Sequence, residues 1–415
     1  EALLADPGNA QFHLTDPRGA SDKSGRTFNN PYQYFFEQMH MDDAIYADES
    51  IYEYPMQQGG GNDGRPYSFG RPSSGGSKAA YPCKSYGQGR INPAYFYGIF
   101  DPNDMRRDVS ITMTGSNGKG VEKLIPFVPN SKAEGGGLTL NKWDENRQAN
   151  PWVAAQRKSG INGPYMRMSE VYLGYAEVCA ALGDVVTGKQ YLKTVRERSF
   201  PQGLANTDAF IASFGNDLVR AIIEERGFEY AGEGDRRWTL IRSGYLPEDI
   251  KRIKDMTKAM MDGLATKGYY EFENGNIISA YIWTKLVDAK TIYGHRLTAQ
   301  CPTDKVNDPV LYPGWRGQKD NWEEMGLNYG SSTPATNLAI KGLFEIVSEE
   351  EAASLESQGY TKVNWGIDLV DNRDEYDKYL FWDYDYVSAP IYLWPFTPNV
   401  MAAGGFTNGY GFKQE

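Results

Sequence analysis

Histidine, the side chain most often used for proton transfer and metal binding, occurs in this chain only at His13, His40 and His295. No two of them have the spacing of a metal-ligand pair, and no HExxH or CxxC is present. Cys83, Cys179 and Cys301 are odd in number and far apart; they read as buried or unpaired thiols, with a single disulfide left open. A serine nucleophile would need an elbow such as GxSxG, which is absent. The glycine-rich run Gly115–Gly120 continues into Val121 rather than Lys and Ser or Thr, so it reads as a hairpin turn, not a phosphate loop. Asp368, Asp371, Asp374, Glu375, Asp383 and Asp385 could together ligate calcium. They lack the central glycine and closing glutamate of an EF-hand, and read as a solvated acidic face. Glycoside hydrolysis needs two carboxylates at a defined separation, and no pair is singled out here. The expectation is no catalysis, no metal and no cofactor.

What the chain does have in surplus is aromatic side chains. They make up 13% of the residues, with nine Trp and 29 Tyr. Flat rings with an apolar face and a polar edge suit sugar rings, whose C–H faces are apolar and whose hydroxyls need partners. The best candidates lie among Gly, Pro, Asn and Arg: Trp152, Trp315 and Trp322, together with Trp143. Tyr86 and Arg316 are candidate helpers beside them.

The formal net charge of -11 argues against nucleic acid, because phosphate contacts need a basic surface. The same charge does not favour anionic lipid. No run of about 18 apolar residues is present to span a membrane. Glu1–Leu4 reads like the end of an amphipathic helix cut midway, so the natural chain is expected to begin earlier.

The elements that must hold these rings are mainly helical. After Gly163-Pro164, apolar residues recur at helical steps from Tyr165: Met168, Tyr172, Tyr175, Cys179 and Leu182. Gly183-Asp184 ends that helix. Further helices are expected over about 188–198, 217–231, 235–242 and 247–262. Another covers Ser348–Ser357, with a serine cap and acidic first turn. The pairing across tight turns suggests hairpins of the tetratricopeptide kind. Residues 42–56 hold a Tyr- and Ile-rich run that could be a strand, 57–89 a long loop, and 101–125 a hairpin.

Several stretches resemble the SusD/RagB family. Arg167-Met168-Ser169-Glu170, Leu173, Tyr175-Ala176-Glu177 and Leu182-Gly183-Asp184 resemble its R-x-A-E…L…YAE…LGD helix. Tyr191-Leu192, Val195-Arg196 and Arg198 resemble the helix that follows. Ile223-Glu224-Glu225-Arg226, Glu229, Glu233-Gly234, Arg236 and Leu240-Ile241-Arg242 resemble its I-x-x-E-R…E…EG-x-R…DL-x-R signature. Glu49 with Ile51 and Glu53, Asp104 with Arg106, and the closing Leu393-Trp394-Pro395-Phe396 and Asn408-Gly409-Tyr410 complete the set. Thr239 stands where Asp is usual, Thr397 where Pro is usual, and the final Pro is missing. Physically these residues read as scaffold, with Glu225, Arg226, Arg236 and Arg242 pairing within and between hairpins.

The resemblance implies a mainly α fold: tetratricopeptide-like hairpins over 165–245 supporting an irregular, loop-rich region with a few short strands. It implies one unit over 1–415 lacking its first helices, with ligand contacts in 42–152 and 251–390. It further implies non-catalytic capture of oligo- or polysaccharide at the cell surface and delivery to a SusC-like TonB-dependent transporter. The outer-membrane lipid anchor would precede residue 1. Peptide capture in the RagB manner is the alternative; a helical-repeat scaffold for protein partners and an all-helical glycoside hydrolase are the remaining readings.

Overall fold

Gly183 and Asp184 turn the chain between two 14-residue helices, α1 (Met168–Ala181) and α2 (Val185–Arg198). Gly183 takes a left-handed φ of 88°, which favours glycine, and the Asp184 carboxylate accepts from the Thr187 N–H at 3.1 Å to cap α2. Gly188 lets the hairpin close: a Cβ there would stand 2.9 Å from the Ala176 carbonyl oxygen. A short helix, α3 (Thr207–Ala212), was not expected from the sequence; α4 (Leu218–Glu229), α5 (Arg236–Ser243) and α6 (Leu246–Lys267) follow the predicted order. Left-handed Gly244 and Gly268 close α5 and α6. The structure, a computed structural model, describes residues 14, 32, 35–36, 49–57, 69–72, 85, 87–116, 122–127, 137–143, 160–288, 336–374, 392, 396–405 and 407.

Two expectations need correction. The first helix does not begin at Tyr165, because 163–167 is a strand: β2 (Gly163–Arg167) pairs antiparallel with β1 (Ser50–Tyr54), Ser50 facing Arg167 and Tyr52 facing Met166. Its buried stripe keeps Met168 and Cys179, as expected, but is otherwise rotated. Leu173 and Ala176 are fully buried and Tyr172 and Tyr175 only partly, while Leu182 is 82% exposed at the hairpin tip. Aromatic size drew the predicted stripe toward the tyrosines, whereas close helix contact selected the smaller residues.

The fold is mainly α, with short strands and no barrel among the described residues. α1, α2 and α4 share a core of Leu173, Leu192, Val195, Ala221 and Ile222. A larger core joins α6 to the region before the hairpins and to the sheet after them, through Tyr97, Phe228, Met260, Phe344 and Trp365. That sheet has β3 (Tyr281–Asp288) in the middle, between β4 (Thr336–Lys341) and β5 (Thr361–Asn364). The predicted hairpin exists as Thr114–Ser116 against Glu122–Leu124. Ser348 caps Glu349–Ser357 as expected, its hydroxyl accepting from the Glu351 N–H at 3.1 Å.

Candidate functional site

Nine charged residues of that resemblance, scattered between Glu49 and Glu233, meet at one place. Glu229, near the end of α4, is the centre. Its Oε1 accepts from Arg167 Nη1 and from Arg198 Nη2, each at 2.5 Å, and its Oε2 accepts from Arg106 Nη1 at 3.0 Å. Glu225, one turn earlier, accepts from Arg106 at 2.6 Å and Arg196 at 2.9 Å. Glu49 accepts from Arg167 Nη1 at 2.8 Å and from both terminal nitrogens of Arg198. Asp104 takes a two-pronged bond from Arg106, and Glu233 binds Arg167 and Lys142.

Arg106, Arg167, Arg196, Arg198 and Lys142 therefore face Glu49, Asp104, Glu225, Glu229 and Glu233, five charges against five, all buried or nearly so. Bidentate arginine geometry explains why charges can survive there. Aromatic faces complete the enclosure: the Arg167 guanidinium lies 4.7 Å from the Tyr230 ring centroid, and that of Arg196 lies 3.8 Å from Phe210. A second, partly buried group ties α4, α5 and α6, with Arg236 and Arg252 both bridging Glu224 and Asp249. On the surface Arg242 pairs with Glu177, joining α5 to α1.

This arrangement is a bolt, not a reaction centre. Every carboxylate in it is engaged by guanidinium or ammonium groups. Burial alone would raise the Glu229 carboxyl, but Arg198, Arg167 and Arg106 outweigh it and hold the group well below the usual carboxylate range. Glu49 is lowered the same way: burial opposes, and Arg198 and Arg167 prevail. Lys142 goes the other way, because burial lowers it to about 8 and Glu233 only partly offsets that.

Stability should follow. Glu229 and Glu49 contribute above the ordinary value of 4.5, and that contribution fades as the pH falls through 4.5 and below. Lys142 binds fewer protons folded than unfolded between about pH 8 and its ordinary 10.5, so stability attributable to it rises with pH over that window. In urea titrations at pH 7 to 10, the wild-type midpoint should climb relative to that of Lys142→Met. A constant difference between the two would refute this assignment.

The bolt fixes the roots of the segments where ligand contacts were sought. Its members lie before β1, in the turn ahead of Arg106–Ser110, at the start of α1 and the end of α2, and beside Trp143. Trp143 itself is corrected: its ring is 0% exposed, packed on Leu140 and Ile161 with Phe36 edge-on at 6.4 Å. The pairing of Thr139–Leu140 with Ile111–Thr112, and the Arg71 N–H on the Trp143 carbonyl at 2.8 Å, hold it inward. A ring with no exposed face cannot stack on a ligand. Trp152, Trp315, Trp322, Tyr86 and Arg316 lie outside the described residues. Their described roots are Trp143 and residue 160 for Trp152, and the Asp288–Thr336 pair of β3 and β4 for Trp315, Arg316 and Trp322. Ser85 and Gly87, flanking Tyr86, rest against Gly70 and Pro72.

Sequence reading missed Lys142 and also Tyr32, whose hydroxyl donates to the Glu229 carbonyl oxygen. The available signal was Glu225 and Glu229 recurring on the same steps as Leu218 and Ile222 of α4, since carboxylates on an apolar stripe require buried cations. Among the described residues no group of three or more His, Cys, Asp or Glu is placed to hold a metal ion. Asp368 and Asp371 sit apart from any such group, while Glu375, Asp383 and Asp385 are outside the described residues, as are His13, His40, His295, Cys83 and Cys301. Cys179 is a buried free thiol. No helix among them is long and apolar enough to cross a membrane.

Comparison with known proteins identifies the class this frame belongs to. The profile of the SusD_RagB family, described as the SusD family, matches residues 12–395. The chain is a member of the SusD family. It is 28% identical over 160 residues to SusD-like protein P25 of Formosa agariphila, covering 38% of this chain and 26% of that protein. Among solved structures it is similar to a SusD homolog from Bacteroides thetaiotaomicron, at 18% identity and a TM-score of 0.41, over 58% of this chain and 49% of that one. It is also similar to surface glycan-binding protein A of the same organism in complex with laminarihexaose, at 18% identity and a TM-score of 0.38, over 59% and 49%. The chain thus spans about half the length of these solved relatives.

Proposed function

We propose that this chain captures oligo- or polysaccharide at the cell surface without chemical change and passes it to a SusC-like TonB-dependent transporter. Attachment to the outer membrane through an N-terminal lipid anchor is part of the same proposal. The observation that carries it is the fate of the family residues: Glu49, Asp104, Arg106, Arg167, Glu225, Glu229 and Glu233 all go into a saturated, buried frame. Residues the family shares therefore hold shape, and what differs between members, the ring-bearing segments, is left to meet the ligand.

The purified chain should bind on a mixed glycan and peptide array, with laminarihexaose as the first soluble probe. Trp→Ala at 152, 315 or 322 should lower affinity by about 1–3 kcal/mol per stacking ring, by analogy with base stacking, while the melting curve stays put. Tyr86→Ala and Arg316→Ala should have smaller effects. Binding to peptides alone would favour RagB-type capture, and binding unchanged by all three tryptophan substitutions would place the contacts elsewhere. Release of reducing ends from a bound glycan would remove the non-catalytic reading.

A further inference from the structure

The ribbon of β1 and β2 has two unlike faces. Glu53 and Arg167 point inward and are 3% and 1% exposed. Tyr52, Tyr54 and Tyr165 point outward and are 53%, 55% and 70% exposed, with Met166 beside them. The rings of Tyr52 and Tyr165 meet edge to face across the strands, with centroids 5.7 Å apart. Tyr54 lies two residues beyond Tyr52 on the same face, roughly 6.5–7 Å along the strand. Register shifts on either side of Tyr52 mark irregular pairing of the kind that re-aims a side chain.

These rings are left wet, yet they are held firmly from behind. Arg167 is tied to Glu49, Glu229 and Glu233 in the bolt, and the Met168 N–H donates to the Glu49 carbonyl at 2.9 Å. At the other end Asn162 donates to Glu53 at 3.0 Å and accepts from the Met56 N–H at 2.8 Å. A rigid, prepaid surface loses little freedom on binding. Its chemistry narrows the occupant. The ionisable groups of the ribbon other than the tyrosines face inward, so the outer face offers no ionic attraction to a charged ligand. It does offer several flat apolar faces edged with phenol hydroxyls, the complement of a neutral pyranose with an apolar C–H face and peripheral hydroxyls.

We infer that Tyr52, Tyr54 and Tyr165 form a stacking surface for neutral sugar rings. The inference rests on the capture reading above and adds a contact point to it. Affinity electrophoresis of the full chain through gels containing laminarin, starch or xylan, with calorimetry on laminarihexaose, tests it. Tyr52→Ala and Tyr165→Ala should each weaken binding roughly ten-fold by loss of a stacking ring, and Tyr→Phe should retain most of it. Because the rings are exposed, melting temperature should hold; Tyr165→Ser, at the most exposed ring, serves if an alanine variant misfolds. If the wild type binds glycan and the Tyr52→Ala/Tyr165→Ala double variant binds equally well, the stacking surface is refuted while capture stands. If the wild type binds none of the glycans, the capture reading fails and this surface with it. Loss of a protein partner with sugar affinity unchanged would also overturn it.

Discussion

Glu229→Ala should destabilise this protein more than removal of any surface carboxylate, by about 3–5 kcal/mol, because it takes a shared carboxylate from three buried guanidinium groups at once. Arg106, Arg167 and Arg198 all donate to that one carboxylate. Each retains other partners, Asp104 for Arg106 and Glu49 for Arg167 and Arg198, but the cluster would lose these three hydrogen bonds and carry one uncompensated positive charge. A domain stabilised by about 5–15 kcal/mol could lose much of its margin to this change. The comparison that isolates burial is Glu177→Ala, which removes the partner of half-exposed Arg242. That loss should stay below about 1 kcal/mol. Guanidinium denaturation of both variants decides the matter, with Glu229→Gln as a milder substitute if the alanine protein cannot be produced. Equal costs for Glu229→Ala and Glu177→Ala would mean the buried cluster is no tighter than a surface pair.

The second large effect is expected at Trp365, which lies in the main core. The indole is wholly buried, its Nε1 donates to the Tyr97 hydroxyl at 2.8 Å, and its ring centroid is 4.2 Å from that of Phe127. Its backbone N–H donates to the Ala280 carbonyl at 2.9 Å, holding β5 and the following helix Gly366–Asp371 against the start of β3. Trp365→Ala should cost about 3–5 kcal/mol through lost burial and the cavity left behind. Trp365→Phe keeps much of the volume and removes the donor, so it should cost less, about 1–3 kcal/mol for the disturbed buried hydroxyl of Tyr97. The order of the two, read from denaturation midpoints, is the test. A Phe variant as unstable as the Ala variant would assign the effect to the hydrogen bond rather than to packing.

Trp365 and Trp143 also show where reading the sequence stops. Both sit beside polar or glycine residues, and nothing in their local context separates a core ring from an exposed one. Burial is a property of what lies across the fold. For Trp143 that is Phe36 and Ile161, and for Trp365 it is Tyr97 and Phe127. The tyrosines of the ribbon make the converse case. In sequence, Tyr52 and Tyr54 lie in a strand-like run and Tyr165 opens an apparent helical stripe, so nothing local marks them as neighbours. The pairing of 50–54 with 163–167 puts them on one open face.

Features set by neighbours along the chain were legible from the residues themselves: the helical hairpins, the turn at Gly183-Asp184, the serine cap at Ser348 and the acidic balance. Backbone preferences and capping act within a few positions, so local sequence is sufficient for them. The family landmarks were legible too, as types and spacings. Only the tertiary structure decided that Glu49, Arg106, Arg167, Arg198 and Glu229 share one enclosed site, and which rings face water. Charges separated by up to about 180 positions can be matched only when the chain is folded, because ion pairing and burial depend on distance in space and not along the sequence.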